Sequence, residues 1–282
     1  MADSNFAGTT GLHVMRLGGS AEQTENIFGP LAGLIGSWIG NKGWNLIAVP
    51  NQKGGFVLLV TPYIETLTIS PLATPTPNRG TKIIQEVPTL LYELKINSLI
   101  DGSLLHAENG TWLLLPDCPS EFGVARQASV PHGDSLLALG QVKSTSGGPS
   151  IPDISSIPDI GGQRLGYLDV YSHPPVPGFN KLNPNDTLRR DNAAQTIVRT
   201  TTIAVSTDNQ GGILNIPFVA RNADASKFEA TFWLETVADK QTGRMFQQLQ
   251  YSQNTSIDFL PRLDGKGLIK WPHININTLI KQ

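Results

Sequence analysis

Apolar residues in this chain fall in short runs, and few of them recur at helical spacing. The segment Lys227-Phe228-Glu229-Ala230-Thr231-Phe232-Trp233-Leu234-Glu235 alternates with period two, which puts Phe228, Ala230, Phe232 and Leu234 on one face of a half-buried strand. β-Branched and aromatic residues mark further strands at Trp44 to Pro50, Gly55 to Ser70, Ile83 to Ile96, Leu104 to Leu115, Gly123 to Val130 and Leu136 to Val142. A second group runs from Thr196 to Ser206, Gly212 to Ala220, Lys227 to Val237, Arg244 to Gln253 and Lys270 to Leu279. Between them stand turn sequences such as Asn51-Gln52-Lys53-Gly54 and Pro131-His132-Gly133-Asp134. One helix is predicted, over Thr24 to Gly36, kept to a couple of turns by its glycines and Pro30, and suited to plugging an end of the structure. About eleven antiparallel strands without crossover helices predict an all-β, closed up-and-down barrel, because closure removes the edges that short strands would otherwise expose.

The two strand groups are separated by a stretch of different character. From 144 to 190 the chain is rich in Pro, Gly, Ser and Asp, and it writes Ser-Ile-Pro-Asp-Ile twice, at 150–154 and 156–160. Two copies this short cannot form a solenoid, and the prolines favour an extended conformation. The expectation is a long insertion within one domain spanning 1–282.

Composition removes whole classes of function. A net charge of −2 gives no electrostatic footprint for nucleic acid or an acidic membrane surface. The single cysteine, Cys118, excludes an internal disulfide and any multi-thiolate metal site, and reads as a buried or loop thiol. No apolar run approaches the ~20 residues that span a bilayer, and MADSNFAGTT is not a signal peptide, so a cytoplasmic protein without membrane partners is expected. Neither GxGxxG nor GxSxG occurs, which argues against a phosphate cradle and a hydrolase elbow. Glu65, Glu93, Glu108 and Glu235 lie on different strands, and the sequence alone does not bring any two together. The cluster Arg189-Arg190-Asp191 reads as solvated charge, and Trp38, Trp112 and Trp233 as core or pocket wall.

The five histidines form neither HxH nor HxxxH, so local spacing supports no zinc site. His13, His132 and His173 read as solvated. His106 and His273 lie in strand-like segments, where an imidazole either hydrogen-bonds internally or ligates a metal. In Lys270-Trp271-Pro272-His273-Ile274-Asn275-Ile276-Asn277, alternation puts Trp271, His273 and Asn275 on one face. If that face is interior, Ile274 and Ile276 need cover from the insertion or from a second copy in a homodimer. Pro272 removes one ladder donor and marks a bulge or a sheet rim.

Three segments in order carry a resemblance. They are Gly33-Leu34-Ile35-Gly36-Ser37-Trp38-Ile39-Gly40 with Gly43-Trp44, then Leu105-His106-Ala107-Glu108-Asn109-Gly110, and Leu249-Gln250-Tyr251 leading to Trp271-Pro272-His273-Ile274. A Gly-x-Trp-x-Gly lead-in, a His-x-Glu-x-Gly strand and a last-strand histidine resemble the nitrobindin-like heme-binding β-barrels of the fatty-acid-binding-protein-like superfamily, in an enlarged form. The resemblance implies heme b, with His273 as the proximal iron ligand beside Trp271. It places His106 at the distal face, and Gln127 as a further distal residue. The region from 144 to 190 has no counterpart there, and is expected to cap the pocket or form an interface.

Two functions follow from the resemblance and the barrel. One is a heme-dependent oxygenase or peroxidase acting on a small hydrophobic substrate, such as a phenylpropenoid alkene, with dioxygen or peroxide; scavenging of nitric oxide or peroxynitrite is its nearer alternative. The other is a non-catalytic carrier of heme or of a lipophilic ligand.

Overall fold

A computed structural model describes residues 20–72, 74–116 and 122–282. His13 and Cys118, both discussed above, lie outside the described residues. The chain opens with α1 (Ala21–Phe28), whose first turn is fixed by a reciprocal cap: the Ser20 hydroxyl accepts the Gln23 amide at 3.2 Å, and the Gln23 side chain accepts the Ser20 amide at 3.0 Å. Pro30 ends the α-helix, and a 3-10 helix over Gly29–Leu34 continues it. Phe28, Leu31 and Leu34 are buried against the barrel core, so the predicted plug is present, three residues earlier than the apolar pattern placed its start.

Strands β1 (Gly36–Pro50) and β2 (Phe56–Pro71) form the first hairpin. A small separate ribbon follows, β3 (Thr76–Arg79) with β4 (Ile84–Val87), then β5 (Thr89–Ser98), β6 (Leu104–Leu114), β7 (Val124–Val130) and β8 (Asp134–Ser146). After the insertion come β9 (Thr196–Ser206), a short β10 (Gly212–Asn215), β11 (Asp224–Ala238), β12 (Met245–Pro261) and β13 (Leu268–Lys281). Ten of these strands close into an antiparallel barrel in the order β8-β7-β6-β5-β2-β1-β13-β12-β11-β9, with β9 pairing back on β8. The closing pair joins the two strand groups directly, so the insertion is a detour between neighbouring strands. Three expectations are corrected. Pro88 splits the run 83–96 into β4 and β5. The strand expected over 212–220 stops at Asn215, because Pro217 starts a short helix (Pro217–Asn222). And β1 begins at Gly36, so the glycine-rich lead-in is itself strand, bulged between Gly40 and Gly43. At Gly43 a Cβ would lie 2.1 Å from the Tyr63 ring, which is why only glycine serves there.

The barrel interior is apolar toward the plugged end, where Trp38, Trp112, Phe232, Leu249 and Leu279 pack together. The predicted inward face of β11 is found as read: Phe228, Ala230, Phe232 and Leu234 all join this core. The insertion does not cap an end of the barrel. It lies along the outer wall, and carries a helix the composition concealed, α2 (Asp186–Ala193), on which Leu188 is buried. Ile151, Tyr171, Phe179 and Leu188 cover Leu46, Trp233, Ile274 and Ile276, and the Trp44 and Phe179 rings stack at 4.6 Å. The outward isoleucines of β13 therefore receive their cover from the same chain, each side chain gaining about 1.5–3 kcal/mol from burial. Arg189, Arg190 and Asp191 are ties rather than solvated charge: Arg189 donates to the Ile151 carbonyl at 2.9 Å, Arg190 to the Gly178 carbonyl at 2.6 Å, and Asp191 accepts Thr278 Oγ1 at 2.8 Å. Among the described residues no helix is long and apolar enough to cross a membrane.

Candidate functional site

The end opposite the plug is bounded by the turns β1–β2, β5–β6, β7–β8 and β12–β13, and it is where the interior turns polar. Alternation along β6 sends His106, Glu108 and Trp112 inward. The glycine of His-x-Glu-x-Gly has a steric reason, since a Cβ on Gly110 would lie 1.9 Å from the Gln127 carbonyl oxygen and 2.8 Å from the Tyr92 hydroxyl. Glu108 is the hub of this cluster. It pairs with Arg126 at 2.6 Å, accepts the Tyr92 hydroxyl, and stands 3.3 Å from His106 Nε2. Burial alone would push its carboxyl up, but the Arg126 guanidinium overrides this and holds it at about 2. An ionised carboxylate only accepts, so His106 Nε2 carries the hydrogen of that contact. Arg126 also lies 5.2–5.8 Å from the ring centres of Tyr92, Trp112, Phe228 and Phe232, a cation in an aromatic box.

A second carboxyl shares the cavity. Glu65 accepts the Tyr251 hydroxyl at 2.6 Å and Asn277 Nδ2 at 3.0 Å, and the Tyr63 hydroxyl lies 2.6 Å from that of Tyr251. With no cation among the described residues at hydrogen-bond range, burial raises Glu65 above the usual carboxylate range. The interior thus holds one carboxyl pushed toward the protonated form and one pinned ionised. The space between these groups is about 20 Å³, room for about one water molecule.

His273 faces this cluster from β13. Its Nε2 lies 2.7 Å from Asn45 Oδ1, and the same oxygen receives Asn275 Nδ2 at 3.0 Å. The second donor fixes the Asn45 amide with its oxygen toward the histidine, so Nε2 bears the hydrogen and Nδ1 keeps a free lone pair, without a partner among the described residues. Burial, then the charges of His106 and His132, hold His273 at about 3, so the ring is neutral through the physiological range. His132, exposed in the β7–β8 turn, places its ring 5.5 Å from that of His106. His106 and His273 are therefore brought to one end of one interior, as the sequence suggested. His173 is exposed, as expected.

Two other sequence candidates fall elsewhere. Gln127 is exposed on the outer face of β7 and accepts Thr111 Oγ1 at 2.8 Å; its neighbour Arg126 occupies the inward position, because side chains alternate. Trp271 is fully buried, but away from the polar cluster. The β1–β13 pairing ends at Leu46–Ile274, and beyond it Trp271 packs on Phe259, Phe56 and Tyr167, its indole donating to the Phe259 carbonyl at 2.9 Å. Pro272 sits in the same stretch, paired with Ser256 of β12 but with no β1 partner on its other side, the sheet rim its missing donor implied. Tyr92, Arg126 and Asn45 were not singled out from the sequence, and Glu65 and Tyr251 were named there without a role, although the parity of β6 and β7 points to Glu108 and Arg126.

A porphyrin is a test of this arrangement. Sites for ligands of that order occupy about 300–1,000 Å³, and the closed interior offers far less, so no porphyrin fits between the walls of the barrel proper. The β1–β2 hairpin runs past its last β13 partner, and on the face shared with Asn45 it bears Ile47, Val49, Val57 and Leu59, of which Val57 and Leu59 are 42% and 44% exposed. A free imidazole nitrogen beside an open apolar wall is a donor set that fits heme iron at the mouth, outside the filled interior.

No model of a known protein family matches the sequence, and no curated protein matches it. Among solved structures, the chain is similar to Rv2717c from M. tuberculosis, at 15% identity and a TM-score of 0.47, over 92% of this chain and 97% of that one.

Proposed function

We propose that the protein binds heme b at the open end of its barrel, with His273 Nδ1 as the single protein ligand to iron. One observation carries this reading: a neutral imidazole, its other nitrogen committed to Asn45, stands beside an exposed apolar wall. Asn45 and Asn275 form the outer support that fixes the ring's orientation and its tautomer. Bound there, heme would supply an iron centre able to take up a diatomic ligand or peroxide. His106, its Nε2 hydrogen held on Glu108, is the polar group on the far side of the mouth.

The same features favour a small-ligand heme protein over an oxygenase of a phenylpropenoid alkene. An organic substrate needs its own volume beside the cofactor, and the interior behind the histidines has room for about one water. The insertion, which a covered substrate pocket would call on, lies against the outer wall. A lipophilic carrier meets the same obstacle, because among the described residues the barrel interior holds no cavity of the size its cargo needs.

The test is a titration with hemin followed by absorption spectroscopy. The wild type is expected to give a saturable Soret band at one equivalent, lost in His273→Ala and shifted or weakened in Asn45→Leu. Equal bands in the wild type and in folded His273→Ala would sink the proposal, as would no band in the wild type.

A further inference from the structure

Besides His273, two histidines stand at the mouth of the barrel. His106 on β6 and His132 in the β7–β8 turn bring their ring centres to 5.5 Å, with the planes inclined at 34°. The His106 side chain is 23% exposed and His132 is exposed, so both rings reach solvent.

Each ring has a nitrogen to give. Glu108 holds the Nε2 hydrogen of His106 at 3.3 Å, which leaves Nδ1 with its lone pair and no hydrogen-bond partner among the described residues. A carboxylate on the second nitrogen is the common setting of a metal-ligating histidine, because that contact fixes the tautomer and raises the basicity of the ligating nitrogen. The His132 ring makes no hydrogen bond among the described residues, yet its turn is held on both sides. The Gly133 amide donates to the Val130 carbonyl at 2.9 Å, and the Ile216 amide to the Gly133 carbonyl at 2.9 Å.

The spacing suits a single ion. Nitrogen–metal bonds of about 2.0–2.1 Å let one ion take a nitrogen from each of two rings whose centres lie about 5–6 Å apart. The local charge suits a cation, since Asp134 acts on both histidines and forms no ion pair among the described residues. Arg126, the cation of the neighbouring cluster, is committed to Glu108 at 2.6 Å. Among the described residues no group of three or more histidine, cysteine or carboxylate side chains is disposed to hold an ion, so the remaining coordination positions fall to water. Two imidazoles with water form a nitrogen–oxygen donor set, for which copper(II) has the highest affinity among the divalent first-row ions. We infer that His106 and His132 together bind one divalent transition-metal ion, copper(II) most tightly, at the rim of the mouth. This site goes beyond the heme reading and does not depend on it.

Copper(II) titrated into the full chain without added hemin, in glycine buffer, tests the inference by calorimetry and electron spin-echo modulation. One tight equivalent is expected, with two imidazoles in its spectrum. His132→Ala and His106→Ala should each weaken that equivalent by about tenfold or more and leave a single imidazole on the ion. His173→Ala, which removes an exposed histidine of the insertion, should bind as the wild type does. Circular dichroism reports folding, and His132→Asn replaces any variant that is not folded, with the same loss expected. Absence of a tight equivalent overturns the inference, and so does wild-type affinity in folded His132→Ala or His132→Asn, or loss of the site in His173→Ala. The hemin titration reads His273 and uses no copper, so either reading can fail without the other.

Discussion

Replacing Glu108 by Gln removes the only carboxylate among the described residues within hydrogen-bond range of Arg126, whose side chain is 3% exposed and enclosed by four aromatic rings. The guanidinium cannot shed its proton, so the variant holds an unpaired buried cation. Breaking such a pair from one side costs about 3–5 kcal/mol, whereas removing both partners is often close to neutral. Urea denaturation at pH 7 should therefore show Glu108→Gln losing about 3–5 kcal/mol with an unchanged m-value, and Glu108→Gln/Arg126→Met recovering most of it. The acid limb gives a second reading. Glu108 is held at about 2 against an ordinary value of 4.5. A carboxyl depressed by folding contributes stability that is full above the unfolded value and disappears as pH falls from about 4.5 through 2. The difference corresponds to about 3 kcal/mol, and it should be missing from the double variant's pH profile. A single variant costing less than about 1 kcal/mol, or a double variant as unstable as the single, would refute the argument that this ion pair, rather than apolar packing alone, organises the polar end.

Three further outcomes follow from the fold. Ile276→Ala opens a void where the insertion meets β13 and should lower stability by about 2–5 kcal/mol in thermal or urea melts, since Ile276 is fully buried there. Glu235 is buried on the outer wall, where it accepts Asn192 Nδ2 at 3.1 Å and Gln248 Nε2 at 2.5 Å, and burial pushes its carboxyl up to about 7. A carboxyl raised by folding favours the native state at low pH and loses that advantage as pH rises from about 4.5 through 7, by about 3 kcal/mol; in Glu235→Gln that fall should disappear from the stability profile. Gln127→Ala, at an exposed outer position, should leave both stability and the hemin titration within about 0.5 kcal/mol of the wild type.

Much of the fold was legible because the signals are local. The period-two pattern of β11 and the turn residues after β1 and β7 depend only on neighbouring residues, and they hold in the structure. Where the reading failed, a longer-range partner decided. The insertion's Pro-rich composition suggested extended chain, yet Leu188 and Thr187 are buried on a helix because the outward isoleucines of β13 and the ring of Trp233 offer that helix an apolar bed. Helix formation there draws on tertiary packing, which an eight-residue segment of mean propensity does not reveal. Likewise the segment after Gly212 carries strand-forming residues, and Pro217 alone turns it into a helix start.

The site divides along the same line. His106 and His273 were set at one site by the resemblance, and the strands carrying them do bring both to one end of the barrel. Gln127 failed by one position, and that one position is decisive, because a strand offers no intermediate direction: the residue beside it, Arg126, takes the interior and its charge then requires Glu108. Asn45 was beyond reach for a different reason. Its role depends on the bulge between Gly40 and Gly43, which resets which side of β1 faces inward, and on the cross-strand register that sets Asn45 opposite Asn275. Without the bulge, Trp44 rather than Asn45 would share the inward face with Trp38, and His273 Nε2 would have no amide oxygen to hold it. The tautomer that frees Nδ1 is thus a consequence of one extra residue in a strand more than two hundred positions earlier in the chain.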